Sequence, residues 1–127
     1  MIAVDTSALM AVVLAETEAD ACIDALTADS RVLISAGTVA EALIVAARRN
    51  VKEEMARLLD EFGFEVIAVT AASARRIALA YEQWGKGAGP ASLNFGDCFS
   101  YEVAREHACP LLFVGEDFLR TDLTSVL

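Results

Sequence analysis

Positive charge is scarce in this chain. Lysine and arginine together number 10 against 19 aspartates and glutamates, for a net charge of −9. That balance argues against a protein that coats nucleic acid by bulk electrostatics, while leaving room for an enzyme that touches RNA briefly through a local patch. Histidine occurs once. The three cysteines, Cys22, Cys98 and Cys109, form no CxxC pair and leave an odd thiol. A disulfide framework is therefore not expected, and a reducing cytoplasm is the natural setting. Long apolar runs are missing too: the longest, Ala8 to Ala15, falls far short of the roughly 18 residues of a membrane span. The N-terminus lacks a basic stretch and carries Asp5 inside its first apolar segment, unlike a signal peptide. No fixed-period repeat or low-complexity tract is visible.

What is present is apolar. Hydrophobic residues make up 56% of the 127, which excludes disorder. The length suits one domain over residues 1–127 that buries roughly two-thirds of the surface of its unfolded form.

The patterning alternates short strands with helices. Met1 to Val4 reads as a buried strand. Thr6 and Ser7 are good N-caps for a helix through Ala8 to Ala15. A second helix is expected from about Glu18 to Ala28, with Ala19, Cys22, Ile23 and Leu26 on its inner stripe. Arg31 to Ile34 is a second strand. Thr38 and Glu41 have the spacing of a capping box for a helix running to about Ala47. Another helix spans about Val51 to Phe62 and stops at Gly63. Phe64 to Val69 is a third strand, and Ala71 to Trp84 a helix with Ala74, Ile77, Ala78 and Tyr81 facing in. Gly85 to Gly96 is irregular. Asp97 opens a helix to about His107, Pro110 to Val114 is a fourth strand, and Leu123 to Leu127 suits a short edge strand. Such alternation implies an α/β fold with a parallel sheet covered on both faces. Function in these sheets gathers at the carboxyl ends of the strands, where strand order reverses.

Four acids fall where that rule points. Asp5 ends the first strand, Glu41 lies one turn inside the helix after the second, Asp97 starts the helix before the fourth, and Asp117 follows the fourth. Each has a plain structural reading. Asp97 suits an N-cap, Glu41 a capping box on Thr38, and Asp117 a turn. Asp5 is harder to explain so, because a carboxylate between two buried apolar runs is costly unless paired, hydrogen-bonded or bound to metal. Arg48, Arg49, Lys52, Arg75, Arg76 and Lys86 lie on or beside predicted helices away from the strand ends, and Arg120 is the nearest cation to the last acid. Carboxylates gathered without a cation repel one another. Magnesium or manganese with oxygen ligands relieves that repulsion, whereas zinc prefers histidine or cysteine. A metal so held generates a hydroxide nucleophile and steadies charge on a phosphodiester.

These residues carry a resemblance. Met1-Ile-Ala-Val-Asp5-Thr-Ser-Ala-Leu9, Glu41 in its helix, Leu93-Asn-Phe-Gly-Asp97-Cys-Phe99 and Leu111-Leu-Phe-Val-Gly-Glu-Asp-Phe118 resemble the PIN-domain ribonucleases over essentially the whole chain. More narrowly they resemble the VapC-type toxins of bacterial toxin–antitoxin pairs. The resemblance implies a three-layer α/β/α PIN-like domain around a parallel sheet of four or five strands. It also implies an acidic site of Asp5, Glu41, Asp97 and Asp117 binding magnesium or manganese, with Thr6 supporting the first aspartate and Glu116 beside the last. The implied activity is cleavage of single-stranded regions of RNA, often in structured RNAs such as transfer RNA. The implied partners are a second copy of the chain and a VapB-type antitoxin whose C-terminal segment fills a groove between helices. Three positions depart from similar sequences. Gly89 precedes Pro90 where arginine or histidine is frequent, Val114 stands in a place often held by lysine, and Glu116 in one where asparagine or aspartate is common. The first two remove positive charge near the rim.

Other signals have plainer readings. The Gly85-Lys-Gly-Ala-Gly89 stretch lacks the GK[ST] of a phosphate loop and reads as a surface loop. His107 with Cys109 is too few ligands for a metal. Trp84 and Tyr81 read as core or interface, and Cys98, with no adjacent histidine or lysine, as packing. A phosphoacceptor signalling domain would want an aspartate pair after the first strand and a lysine after the last. Thr6 and Ser7 follow Asp5, and no lysine lies beyond Lys86. A silent binding module would have broken acids, and none is broken.

Overall fold

Two short runs, Ile2–Val4 (β1) and Val32–Ser35 (β2), are buried along their whole length, as strands in the middle of a two-sided parallel sheet must be. A computed structural model describes residues 1–127 and orders the chain as β1, α1 (Thr6–Val13), α2 (Ala19–Ala28), β2, α3 (Ala36–Arg48), α4 (Lys52–Glu61), β3 (Glu65–Ile67), α5 (Ala71–Trp84), α6 (Phe95–Glu106) and β4 (Leu111–Leu112). The four strands pair in parallel in the order β3-β2-β1-β4. No helix is long and apolar enough to cross a membrane.

Alternation along the strands builds the layers. Ile2, Val4, Val32, Ile34 and Leu112 join a core with Leu9, Cys22, Leu26, Ala42, Ala46 and Met55 of α1 to α4. Ala3, Leu33 and Leu111 face the other way, into a core with Ile77, Ala80, Leu93, Cys98, Tyr101 and Phe118. The result is the three-layer α/β/α arrangement. Fully burying one such aliphatic side chain stabilises by about 1.5–3 kcal/mol. That is how β4, two residues long, holds its place. The tail adds a rung: Leu111 N–H donates to Thr124 O (2.9 Å) and Val126 N–H to Leu111 O (3.1 Å). The expected fifth strand, Leu123 to Leu127, is thus a single parallel bridge, Leu111 to Ser125.

Strand order positions the site. From β1 the chain moves to β2 and β3 on one side, then returns to β4 on the other. The reversal falls between β1 and β4, and their carboxyl ends lead into Asp5 and toward Asp117.

Several local expectations need correction. The inner stripe of α5 is Ser73, Ile77 and Ala80, while Ala74, Ala78 and Tyr81 face solvent. An alanine-rich helix offers adjacent stripes of similar hydrophobicity, and packing against α6 selects one. Ile23 of α2 also faces out, leaving Ala19, Cys22 and Leu26 to pack. The third strand is shorter than Phe64 to Val69: Phe64 stacks on Phe62 instead (4.7 Å between centroids), and Glu65 and Val66 are exposed at the sheet edge. Gly63 ends α4 in the left-handed region (φ 89°), as a helix stop requires.

Candidate active site

Asp5 leaves β1 and caps α1, its Oδ2 accepting the Ser7 backbone N–H (3.0 Å) and the Ser7 hydroxyl (2.7 Å). The cap is therefore Asp5 itself, with Thr6 and Ser7 already inside the helix. Asp5 Oδ1 accepts the Ser100 hydroxyl at 2.5 Å. Ser7 Oγ in turn accepts Val114 N–H (3.0 Å), which stitches the end of β4 to the Asp5 carboxylate across the switch point. Burial raises the Asp5 pKa above the ordinary carboxylate value, and donation from Ser100 and Ser7 pulls part of the way back.

Glu41 closes no capping box on Thr38. The N-cap of α3 is Ser35, whose hydroxyl accepts Gly37 N–H (3.1 Å). The Glu41 side chain instead reaches across to α1, where Thr6 Oγ1 donates to its Oε1 at 2.6 Å. Thr6 was expected to support the first aspartate; its hydroxyl supports the glutamate, and Ser7 takes the Asp5 role. The Glu41 carboxylate lies so close over Gly96 that a Cβ there would overlap Oε2. Its pKa is raised by burial first and by the Asp5 charge, against the Thr6 bond.

Asp97 does not open its helix. Asn94 caps α6, which begins at Phe95, and Asp97 is the reciprocal partner of a capping box: Asn94 N–H donates to Asp97 Oδ2 (2.9 Å) and Asp97 N–H to Asn94 Oδ1 (2.8 Å). The capping role is therefore compatible with a place among the clustered acids. Its carboxyl is pushed up to about 7, by burial foremost and then by the charges of Asp5, Asp117 and Glu41, with the Asn94 backbone bond opposing. Asp117 is exposed on the turn after β4, and that turn is pinned by Phe118, buried against Phe113 (5.1 Å between centroids). Glu116 is also exposed and is not among the charges that act on Asp97. Glu116 and Asp117 line a cleft of about 270 Å³ with Pro90, Ser92 and Arg120.

The fold thus brings Asp5, Glu41, Asp97 and Asp117 within electrostatic reach of one another. None of the molecule's ion pairs includes any of them. No three acidic, histidine or cysteine side chains stand close enough together to form a ready coordination shell. The donor set is all carboxylate oxygen, which fits a hard divalent ion and not zinc. Cations border the acids after all: Arg48 shares a groove with Glu41, and Arg120 a cleft with Asp117. Cys98 is buried, its thiol donating to Asn94 O (3.4 Å) and pushed up to about 11 by burial and the Asp97 charge, so it is no nucleophile.

Sequence reasoning missed Ser100 and gave Thr38 a different job. Both hydroxyls are buried and lie 3.2 Å apart. The available signal was spacing: Ser100 sits three residues after Asp97 and Thr38 three before Glu41, each on the same helical face as the acid.

Residues 2–123 match the family described as PIN domain. The chain belongs to the PIN-domain family. Among curated relatives, this PIN domain is 41% identical over 124 residues to a VapC ribonuclease of Mycobacterium bovis, covering 94% of this chain and 95% of the other. It is 39% identical over 126 residues to Ribonuclease VapC30 of Mycobacterium tuberculosis, covering 97% and 96%. Among solved structures, it superposes on Mycobacterium tuberculosis VapC20, described as a sarcin-ricin loop cleaving toxin, with a TM-score of 0.82 at 17% identity, covering 99% and 98%. A toxin–antitoxin complex from Klebsiella pneumoniae gives a TM-score of 0.71 at 20% identity, covering 96% of this PIN domain and 93% of that chain. The structural likeness establishes the fold.

Proposed function

We propose that this PIN domain is a metal-dependent endoribonuclease and the toxin of a toxin–antitoxin pair. The observation that carries the reading is the convergence of four acids from separate elements: the charges of Asp5, Asp117 and Glu41 all act on Asp97, and no cation is paired to any of them. The ribonuclease relatives support it. Asp5, Glu41, Asp97 and Asp117 would hold Mg²⁺ or Mn²⁺, which when bound supplies an activated water and stabilises charge on the phosphodiester. The chain's own residues do the positioning: Ser7 and Ser100 hold Asp5, Thr6 holds Glu41, and Asn94 holds Asp97. Arg48 and Arg120 offer phosphate contacts on the rim, in place of the basic residues missing at Gly89 and Val114.

The substrate is RNA, with structured molecules such as transfer RNA as the first class to test. A VapB-type antitoxin is the protein partner. An apolar groove of about 420 Å³ between α1 and α4 is lined by Val12, Val13, Leu58 and Phe62 and bordered by Glu54, Glu61 and Arg57; it suits an apolar tail whose arginines meet the two glutamates. Exposed Ile44 and Phe95, 56% and 70% accessible, support a homodimer through the α3–α6 face. The three free thiols suit a reducing cytoplasm.

The deciding experiment is digestion of total RNA by the purified protein with Mg²⁺, Mn²⁺ or EDTA, followed by mapping of the cut ends. Discrete cuts that EDTA removes are expected; cutting undiminished in EDTA would overturn the metal assignment. Within the site, Asp117→Asn is expected to weaken metal binding and lower turnover by about 10- to 100-fold, the scale of losing a ligand or its support. Glu116→Gln is expected to change turnover little and to strengthen RNA binding slightly by removing a negative charge beside the phosphate path. Metal titrations and cleavage rates for the two single variants test this, and a silent Asp117→Asn beside an inactive Glu116→Gln would reverse the assignment.

A further inference from the structure

We propose that Thr38 and Ser100 form a hydroxyl relay that fixes the Asp5 carboxylate in its ion-binding orientation. This makes them a positioning pair for the reaction, and the proposal rests on the reading of Asp5 as a metal ligand. Three elements remote in sequence meet here. Thr38 on α3 is 0% exposed, Ser100 on α6 is 1% and Asp5 at the end of β1 is 3%. Ser100 Oγ donates to Asp5 Oδ1 at 2.5 Å, and Thr38 Oγ1 lies 3.2 Å from Ser100 Oγ.

Proton arithmetic sets the direction. A serine hydroxyl has one proton, and Ser100 gives it to Asp5. The bond between the two hydroxyls must then be donated by Thr38. The chain runs Thr38 to Ser100 to Asp5, and each donation polarises the next.

The relay also selects which Asp5 oxygen remains available. A carboxylate has about four lone-pair sites. Two donors from Ser7 occupy Oδ2 and one from Ser100 occupies Oδ1. The remaining acceptor capacity is therefore on Oδ1, and Ser100 determines where it points. Without Ser100, Asp5 is held by one oxygen only and swings about the Ser7 contact, while its charge stays buried.

A packing role alone would look different. Two buried hydroxyls that only satisfy each other would affect folding stability and leave ion affinity unchanged. Mn²⁺ affinity, read from the electron paramagnetic resonance signal of the free ion, separates the two, with folding checked by circular dichroism. The proteins compared are wild type, Asp5→Asn, Ser100→Ala, Thr38→Val, Thr38→Ser and the double variant Ser100→Ala/Thr38→Val. Ser100→Ala is expected to weaken Mn²⁺ binding by about 10- to 100-fold, the usual cost of losing a partner that orients a ligand. Thr38→Val is expected to weaken it less, Thr38→Ser to restore it, and Thr38→Val to add nothing once Ser100 is gone. Folded Ser100→Ala and Thr38→Val proteins with wild-type affinity, beside an Asp5→Asn protein that has lost it, would overturn the relay alone. Undiminished Mn²⁺ binding by Asp5→Asn would overturn the ligand reading and the relay together. If Ser100→Ala does not fold, the comparison of Thr38→Val with Thr38→Ser decides: equal affinities reject the relay.

Discussion

Asp97→Asn is expected to abolish RNA cleavage while making the ion-free protein more stable at pH 8. The variant loses a ligand charge, yet asparagine's side-chain oxygen still accepts the Asn94 N–H that closes the α6 capping box. The stability gain follows from the direction of the Asp97 shift. Its carboxyl sits at about 7 in the folded chain against an ordinary 3.8. Unlike a salt-bridged aspartate, whose native pKa is depressed, this one binds its proton more tightly when folded. Its contribution is fully present below the unfolded value and is lost as pH rises through about 7. The gap corresponds to an upper bound of about 4 kcal/mol. In EDTA, wild-type stability should therefore fall between pH 5 and pH 8, and Asp97→Asn should flatten that fall. Added Mg²⁺ should restore wild type at pH 8, because a bound cation inverts the electrostatics of the site. Denaturant titrations at the two pH values test this; identical pH dependence in both proteins would count against the acidic cluster as described.

Gly96→Ala is expected to lower activity while leaving stability nearly unchanged. Gly96 lies in the first turn of α6, where alanine is the better helix former by about 1 kcal/mol. A Cβ at this position, however, overlaps the Glu41 carboxylate. Glu41 is the flexible end of a long side chain, so it swings away at small cost to the fold and breaks its 2.6 Å bond from Thr6. Displacement of one ligand by about 1 Å is enough to cost on the order of 10²-fold in rate. We expect that loss in cleavage with folding stability within about 1 kcal/mol of wild type. Gly89→Ala, on the exposed loop with nothing within 4 Å of its Cβ, is the neutral control. Equal activity in both variants would mean that Glu41 does not need its present position.

Local rules settle a good part of this molecule. The alternation of apolar runs places β1 and β2, and α5 runs over the residues its pattern marks, because Thr70 caps its start and Gly85 its end. Asp5 is legible because a carboxylate directly after a buried strand is costly without a use. Position relative to the strands marks Glu41, Asp97 and Asp117, whose local settings suggest only caps and a turn, and the family resemblance gathers them into one site.

What local rules leave open are the choices between equivalent short-range options. Thr38 is spaced to cap Glu41, yet it turns to a serine 62 residues away. Thr6 stands beside Asp5 but serves Glu41, 35 residues on. The stripe that α5 buries depends on α6, since neighbouring faces of an alanine-rich helix differ little in hydrophobicity. Helical and strand periodicity act over three or four residues and reveal which face is apolar. Which hydroxyl meets which carboxylate is decided only when α1, α3 and α6 close on the end of β1, because a buried polar atom must take whatever partner that packing brings within reach.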